Sequence, residues 1–273
     1  MNQRRPIEPL LAGKDHDEAS VFTPEHLLRE ARRQKELRET KVPDVCVLDP
    51  DGDIVRRLRQ VGLAERDRSW ACYHTELHGY EDHGRKYGII GCAVGAPFAV
   101  LVAEELFASG CRFLISMTSA GQIAETREPP YFVVIDRAVR DEGTSYHYAP
   151  PAVWSAADEA LVAAVQADLA GFRLPVDRGA SWTTDAPFRE TATAIRHARD
   201  LGALAVEMEA AALYAFARAR KRSVLCFAHV TNRMGRASSD FEKGESDGVY
   251  DALDVIASAR RTWERRHEKA VSP

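Results

Sequence analysis

The chain of 273 residues, 45% hydrophobic and 29% charged, has the composition of an ordinary globular protein and can bury a substantial core. A net charge of −4 with a pI near 6.2 leaves no electrostatic footprint for nucleic acid, and no apolar stretch approaches a membrane span. The first residues lack the apolar run of a signal peptide. The five cysteines (Cys46, Cys72, Cys92, Cys111, Cys226) have no paired spacing, so a reduced, cytoplasmic protein without a metal is expected.

Residues 1–22 are polar, with Pro6, Pro9 and Gly13, and read as a flexible arm before one domain over 23–273. Thr23-Pro24 is a helix start, opening an amphipathic helix from Leu27 to about Glu39. Its basic run, Arg32-Arg33-Gln34-Lys35, lies between Glu30 and Glu36 and reads as a solvated face. Val45–Leu48 is a strand, Asp49-Pro50-Asp51-Gly52-Asp53 a turn, and Ile54–Val61 a helix carrying Arg56, Arg57 and Arg59. A glycine turn feeding a helix N-terminus beside an Arg can hold an anion, although a solvated basic helix fits the same pattern.

Tyr87–Pro97 reads as a buried strand entering a glycine turn, and Phe98–Ala108 as a helix closed by Gly110. Leu114–Met117 is the next strand, followed by a small-residue loop at Thr118-Ser119-Ala120-Gly121. Such a β-α-β unit predicts parallel strands with a ligand crevice at their ends. Phe132–Ile135 is another strand, after which Tyr146, His147 and Tyr148 line a pocket or stack in a loop; His147 reads as a packed histidine rather than a base. Phe188 and Arg189 offer a stacking face and a planar donor fork suited to a nucleobase, or else an inward Phe and a solvated Arg.

A helix ending at Gly202 precedes the short apolar run Leu204-Ala205-Val206, which enters an alanine-rich helix at Glu207-Met208-Glu209. Glu207 and Glu209, two apart, cannot share a helix face, so one is solvated or capping and the other is available to a cleft. A carboxylate held there needs donors opposite it, and vicinal sugar hydroxyls would serve. Val224–Val230 is the last core strand, ending at Thr231-Asn232-Arg233; 236–246 reads as a mobile loop and 247–268 as an amphipathic helix.

Val206-Glu207-Met208-Glu209-Ala210-Ala211 resembles the Val-Glu-Met-Glu-(Ser/Ala)-Ala signature of the uridine phosphorylase and purine nucleoside phosphorylase superfamily. The resemblance extends over about residues 45–260 and implies one α/β domain, a three-layer α/β/α fold with a twisted mixed sheet. It implies phosphorolysis of a nucleoside, uridine preferred, with inorganic phosphate as co-substrate, no cofactor, and a homo-oligomer. Met208 and Glu209 would hold ribose with Glu207. Gly52-Asp53-Ile54-Val55-Arg56 is similar to the Gly-Asp-Pro-x-Arg phosphate loop, with Ile54 replacing Pro; a shifted register would remove Arg56 from the site. Phosphate would then meet Gly52, Arg56, Thr118, Ser119 and, from a neighbouring subunit, Arg68, with Glu209 and Arg56 as the catalytic pair.

Phe188, Arg189, Asn232 and Arg233 would read the base, and Val230-Thr231-Asn232-Arg233 resembles the uridine phosphorylase pattern. Two departures stand out. Ile115 occupies the place of a phosphate-gripping Arg, and Ser119-Ala120-Gly121 resembles the adenosylhomocysteine nucleosidases, which use water. Hydrolysis of the same bond, or nucleoside binding without catalysis, are therefore the alternatives. His26 is a histidine of the kind that such families extend to a neighbour's sugar.

Overall fold

A computed structural model describes residues 9–234 and 243–271. The apolar runs become strands β1 (Val45–Asp49), β2 (Ala64–Arg66), β3 (His78–Asp82), β4 (Arg85–Gly91), β5 (Phe113–Gln122), β6 (Tyr131–Asp141), β7 (Trp154–Ala156), β8 (Val176–Thr184), β9 (Ala203–Glu207) and β10 (Ser223–Arg233). The helices are α1 (Pro24–Lys35), α2 (Asp53–Gln60), α3 (Ala96–Ala108), α4 (Glu159–Asp168), α5 (Ala192–Asp200), α6 (Ala210–Arg220) and α7 (Val249–Val271). Residues 9–22 run over the surface in turns, with Arg220 donating to Ser20 Oγ at 3.4 Å. Of the charged segment expected to be a mobile loop, 236–242 lies outside the described residues.

One mixed sheet carries all ten strands, in the order β10-β6-β8-β9-β5-β1-β4-β3-β2, with β7 on β6. The expected parallel unit is present, but β1 lies between β4 and β5, parallel to both. β10 also pairs with β5, so β5, β10, β6, β8 and β9 close into a ring from which the remaining strands fan out. Strands buried on both faces read as continuous apolar runs. Leu48, Ile90 and Leu114 pack against α3 and α6, while Val47, Ile89 and Ile115 pack with α2, α4 and α7 on the other side. Truncating one of these residues to Ala removes about 2–5 kcal/mol of stability.

The structure corrects one boundary that matters to the site. Thr118–Gly121 is not a loop but the end of β5, because β10 pairs alongside it (Ala228 with Thr118, Val230 with Ala120) and β9 meets Gly121. The small residue at 121 leaves room for Met234, whose Sδ would lie 2.3 Å from a Cβ there and would have to shift. α6 is pinned through buried Tyr214, whose hydroxyl donates to the Ile135 carbonyl (2.6 Å) and accepts from the Cys226 amide (3.0 Å). That anchoring fixes the N-terminus of α6 over the ends of β5 and β10.

Candidate active site

A crevice of about 320 Å³ opens at the ends of β5, β9 and β10, with Asp51, Thr118, Glu190, Met208, Glu209 and Asn232 among its walls. Glu209 is the N-cap residue of α6, yet its side chain does not cap that helix. Its Oε1 accepts from the Gly95 amide at 2.7 Å, at the N-terminus of α3, while Oε2 is buried with no hydrogen-bond partner. The residue is 1% exposed. Burial, then the nearby Glu207 charge, pushes its carboxyl up to about 8.

Capping belongs to Glu207. Its Oε2 accepts from the amides of Glu209 and Ala210, both at 2.7 Å, and its Oε1 from the hydroxyls of Ser181 (2.9 Å) and Thr183. Four donors satisfy this carboxylate, which corrects its expected ribose role: no acceptor capacity is directed at a ligand. Burial raises Glu207 as well, against the opposing pull of these four donors. Met208, between them, is half-buried in the crevice wall.

The expected phosphate end is organised differently from the reading above. Gly52 does open α2 with φ 75°, and a Cβ there would strike Cys92 Sγ at 2.6 Å, so glycine is needed. The amides that would face an anion are occupied, however: buried Asp49 accepts from Gly52 N at 3.2 Å and Val55 N at 2.9 Å. Burial, with added repulsion from Asp51 and Asp53, pushes Asp49 up to about 7. Arg56 is 55% exposed and donates to Asp53 at 2.6 Å and to the Asp51 carbonyl at 3.4 Å, so its guanidinium lies beside the Gly52 turn but is engaged there by the chain's own acid. Lys243 also pairs with Asp53.

Asp51 Oδ2 takes the Ser119 amide at 2.6 Å, removing that donor too. Thr118 is buried at the crevice with its hydroxyl on the Ser119 carbonyl at 3.3 Å. Ile115 is fully buried between β1 and β10. Arg68 lies exposed in the turn after β2, away from the crevice of its own chain, and His26 is exposed on α1. His229, stacked on Phe132 at 4.6 Å between ring centres, is pushed down to about 4 by burial and is neutral, its Nε2 without a partner.

At the third end, Phe188 is wholly exposed and Arg189 exposed, while their neighbours Pro187 and Glu190 line the crevice. The one-turn helix Pro187–Arg189 causes this, presenting its first residue and its cap Glu190 to the crevice and the two residues between them to solvent. Burial pushes Glu190 up to about 7. Asn232 lines the crevice, its Nδ2 3.8 Å from Met234 Sδ, whereas strand alternation turns Arg233 away to an ion pair with Glu128. His147 is exposed rather than packed. Tyr146 donates to the Arg140 carbonyl and Tyr148 to Glu104, both outside the crevice.

Glu209, Met208, Thr118, Ser119 and Asn232 are thus brought together. Sequence reasoning missed Asp51 and Glu190. Each stands next to a residue singled out, Gly52 and Arg189, and the choice between neighbours was decided by local backbone turns. Among the described residues that line the crevice, the charged ones are Asp51, Glu190, Glu207 and Glu209, with no Lys or Arg. Chemically, an acceptor without a donor sits beside a methionine wall at one end, and titratable carboxyls stand at the other two.

A family model described as the phosphorylase superfamily matches residues 34–259. A guanosine phosphorylase of Halorubrum lacusprofundi is 28% identical over 239 residues, covering 82% of this chain and 95% of that protein. A DeoD-type purine nucleoside phosphorylase of an Exiguobacterium strain is 27% identical over 181 residues, 64% of this chain and 74% of its own. The crystal structure of uridine phosphorylase from Vibrio fischeri shares the fold, with a TM-score of 0.63 at 21% identity over 83% of this chain and 89% of that one.

Proposed function

This chain belongs to the phosphorylase superfamily, and we propose that its crevice cleaves the N-glycosidic bond of a nucleoside, passing the pentosyl group to phosphate and releasing the free base. The observation that carries this reading is the buried Glu209 Oε2, an acceptor that meets no donor among the described residues beyond the nearby Thr118 hydroxyl. Two sugar hydroxyls satisfy it, and their hydrogen bonds draw the carboxylate into its charged form. As the bond from C1′ to the base lengthens, positive charge develops on the sugar ring. A nearby negative carboxylate in a water-poor site stabilises that charge more than it stabilises the substrate.

Met208 supplies the apolar face against the sugar. Asn232 hydrogen-bonds the base, and Glu190, whose carboxyl stays protonated to about pH 7, hands a proton to the departing ring. Phosphate is the co-substrate and the chemistry needs no cofactor in the crevice. The active unit is a homo-oligomer in which a neighbour's Arg68 supplies cationic charge that this chain's own crevice does not.

One observation favours a second reading, hydrolysis. The nucleophile end carries Asp51, and the residues expected to grip phosphate are engaged elsewhere: Arg56 by Asp53 and the Gly52 amide by Asp49. A carboxylate repels phosphate but activates water. The deciding experiment is release of base from uridine, inosine and guanosine with and without inorganic phosphate. Turnover only with phosphate, giving ribose 1-phosphate, establishes phosphorolysis. Turnover indifferent to phosphate, giving free ribose, establishes hydrolysis and makes Asp51 its base. Binding without turnover overturns both.

A further inference from the structure

A second cluster of reactive side chains lies well away from the crevice. Glu105 stands ten residues along α3 from Gly95, the residue that meets Glu209, which is about 15 Å of helix. It is 1% exposed, and neither carboxylate oxygen has a hydrogen-bond partner. Opposite it is the turn between β2 and β3, where Cys72 Sγ is buried and accepts from the His74 amide and the Thr75 hydroxyl, both at 3.3 Å. The His74 Nδ1 lies 4.0 Å from that sulfur. One ligand atom each from Cys72, His74 and Glu105 lies within 4.8 Å of the others.

The donor beside it is the Cys72 thiol, a weak one, so burying this carboxylate is costly, and protonating it leaves polar atoms still unmatched. Lys35 is the nearest cation, but its ammonium is held by the carbonyls of Ala71 (3.0 Å) and Cys72 (2.6 Å). A divalent ion would satisfy all three groups together. A thiolate, a carboxylate and a neutral imidazole carry a charge of about −2, which the ion cancels. Sulfur, nitrogen and oxygen in one set suit zinc and exclude magnesium or calcium, which take oxygen. In a tetrahedral zinc site, donors lie roughly 3.3–3.7 Å apart. The three donors here lie within 4.8 Å, so the site requires a closure of up to about 1 Å on metal binding, led by the exposed His74 ring.

We propose that Cys72, His74 and Glu105 form a zinc site that clamps the β2–β3 turn onto α3. The two donors already on the sulfur are those expected to steady a thiolate. Arg68 is four residues ahead of Cys72 in the same turn, so the ion would also fix the segment that presents this arginine.

The test uses the untagged full chain, stripped with chelator and then given Zn²⁺, with Co²⁺ as a spectroscopic probe. The expected result is one Zn²⁺ per chain and a cobalt–thiolate charge-transfer band. Cys72→Ser should abolish the band, and His74→Ala, an exposed position that leaves the fold intact by circular dichroism, should weaken Zn²⁺ binding more than about tenfold. Glu105→Gln should weaken it comparably; should that variant not fold, His74→Ala still decides. No stoichiometric zinc in the wild type, a cobalt spectrum without a thiolate band, or unchanged affinity in His74→Ala would each overturn the site.

Discussion

At the Glu209 end of the crevice a buried acceptor has no donor, whereas at the Asp51 end the donors a phosphate would use are already taken by carboxylates. Both ends sit on the same secondary structure: a glycine turn or cap residue opening a helix after a strand. What separates them is which acid does the local capping. Beside α6, Glu207 takes the first amides of the helix and leaves Glu209 for a ligand; beside α2, Asp49 takes the Gly52 and Val55 amides that an anion would otherwise meet. A helix N-terminus is an anion site only while its amides are free.

Several substitutions break or sharpen that contrast, beginning with the largest effect. Glu209→Gln keeps an acceptor for Gly95 but loses the charge, and kcat/KM for nucleoside cleavage should fall about 10²–10³-fold in steady-state assays. Glu207→Ala leaves buried amides and hydroxyls without an acceptor, and the unfolding free energy measured in urea should drop by about 3 kcal/mol. If Glu207 instead proved silent for stability and severe for activity, the division of labour between the two acids would be wrong.

Asp51→Asn separates the two functional readings. Phosphorolysis predicts a phosphate KM lowered by about three- to tenfold once a repelling charge is removed; hydrolysis predicts a comparable or larger loss of kcat. A pH profile follows from Glu209. With Glu209 ionising near 8 and Glu190 protonated only to about 7, kcat/KM should climb to a maximum between pH 7 and 8 as Glu209 ionises and then fall as Glu190 loses its proton, the climbing limb being absent in Glu209→Gln. Stability should move the opposite way: between the ordinary carboxyl range and pH 8 the folded state holds a proton that the unfolded state has released, so unfolding free energy declines with rising pH. Last, Arg56→Ala removes an exposed ion pair and should change stability by less than about 1 kcal/mol and phosphate KM less than about threefold.

Much of this was legible in the residues. The strands and helices follow from apolar runs bounded by Gly, Pro and capping residues, and Thr23 and Gly52 open helices where their chemistry says they should. The division between Glu207 and Glu209, as one capping and one facing a cleft, was open to spacing alone, though not which acid did which. Phe188, Arg189 and Arg233 lie outside the crevice because a single turn or the two-residue alternation of a strand decides where a side chain points, and neighbours look alike in sequence. Thr118–Gly121 read as a loop because small residues mark turns; only the arrival of β10, a hundred residues later, makes it strand. The Cys72–His74–Glu105 cluster was hidden for the same reason, since Glu105 is joined to the others by tertiary packing.

The closed ring of strands has a bearing on how the protein is made. β10 is the staple between β5 and β6, and it lies within the last quarter of the chain. Until the ribosome has released residue 233, the nascent polypeptide carries unmatched strand edges rich in valine, isoleucine and phenylalanine. The crevice cannot form ahead of that moment either, because Asn232 arrives with the same strand. The strand that seals the ring is therefore also the one that completes the pocket, and a product truncated before it lacks both and is a natural client for chaperones.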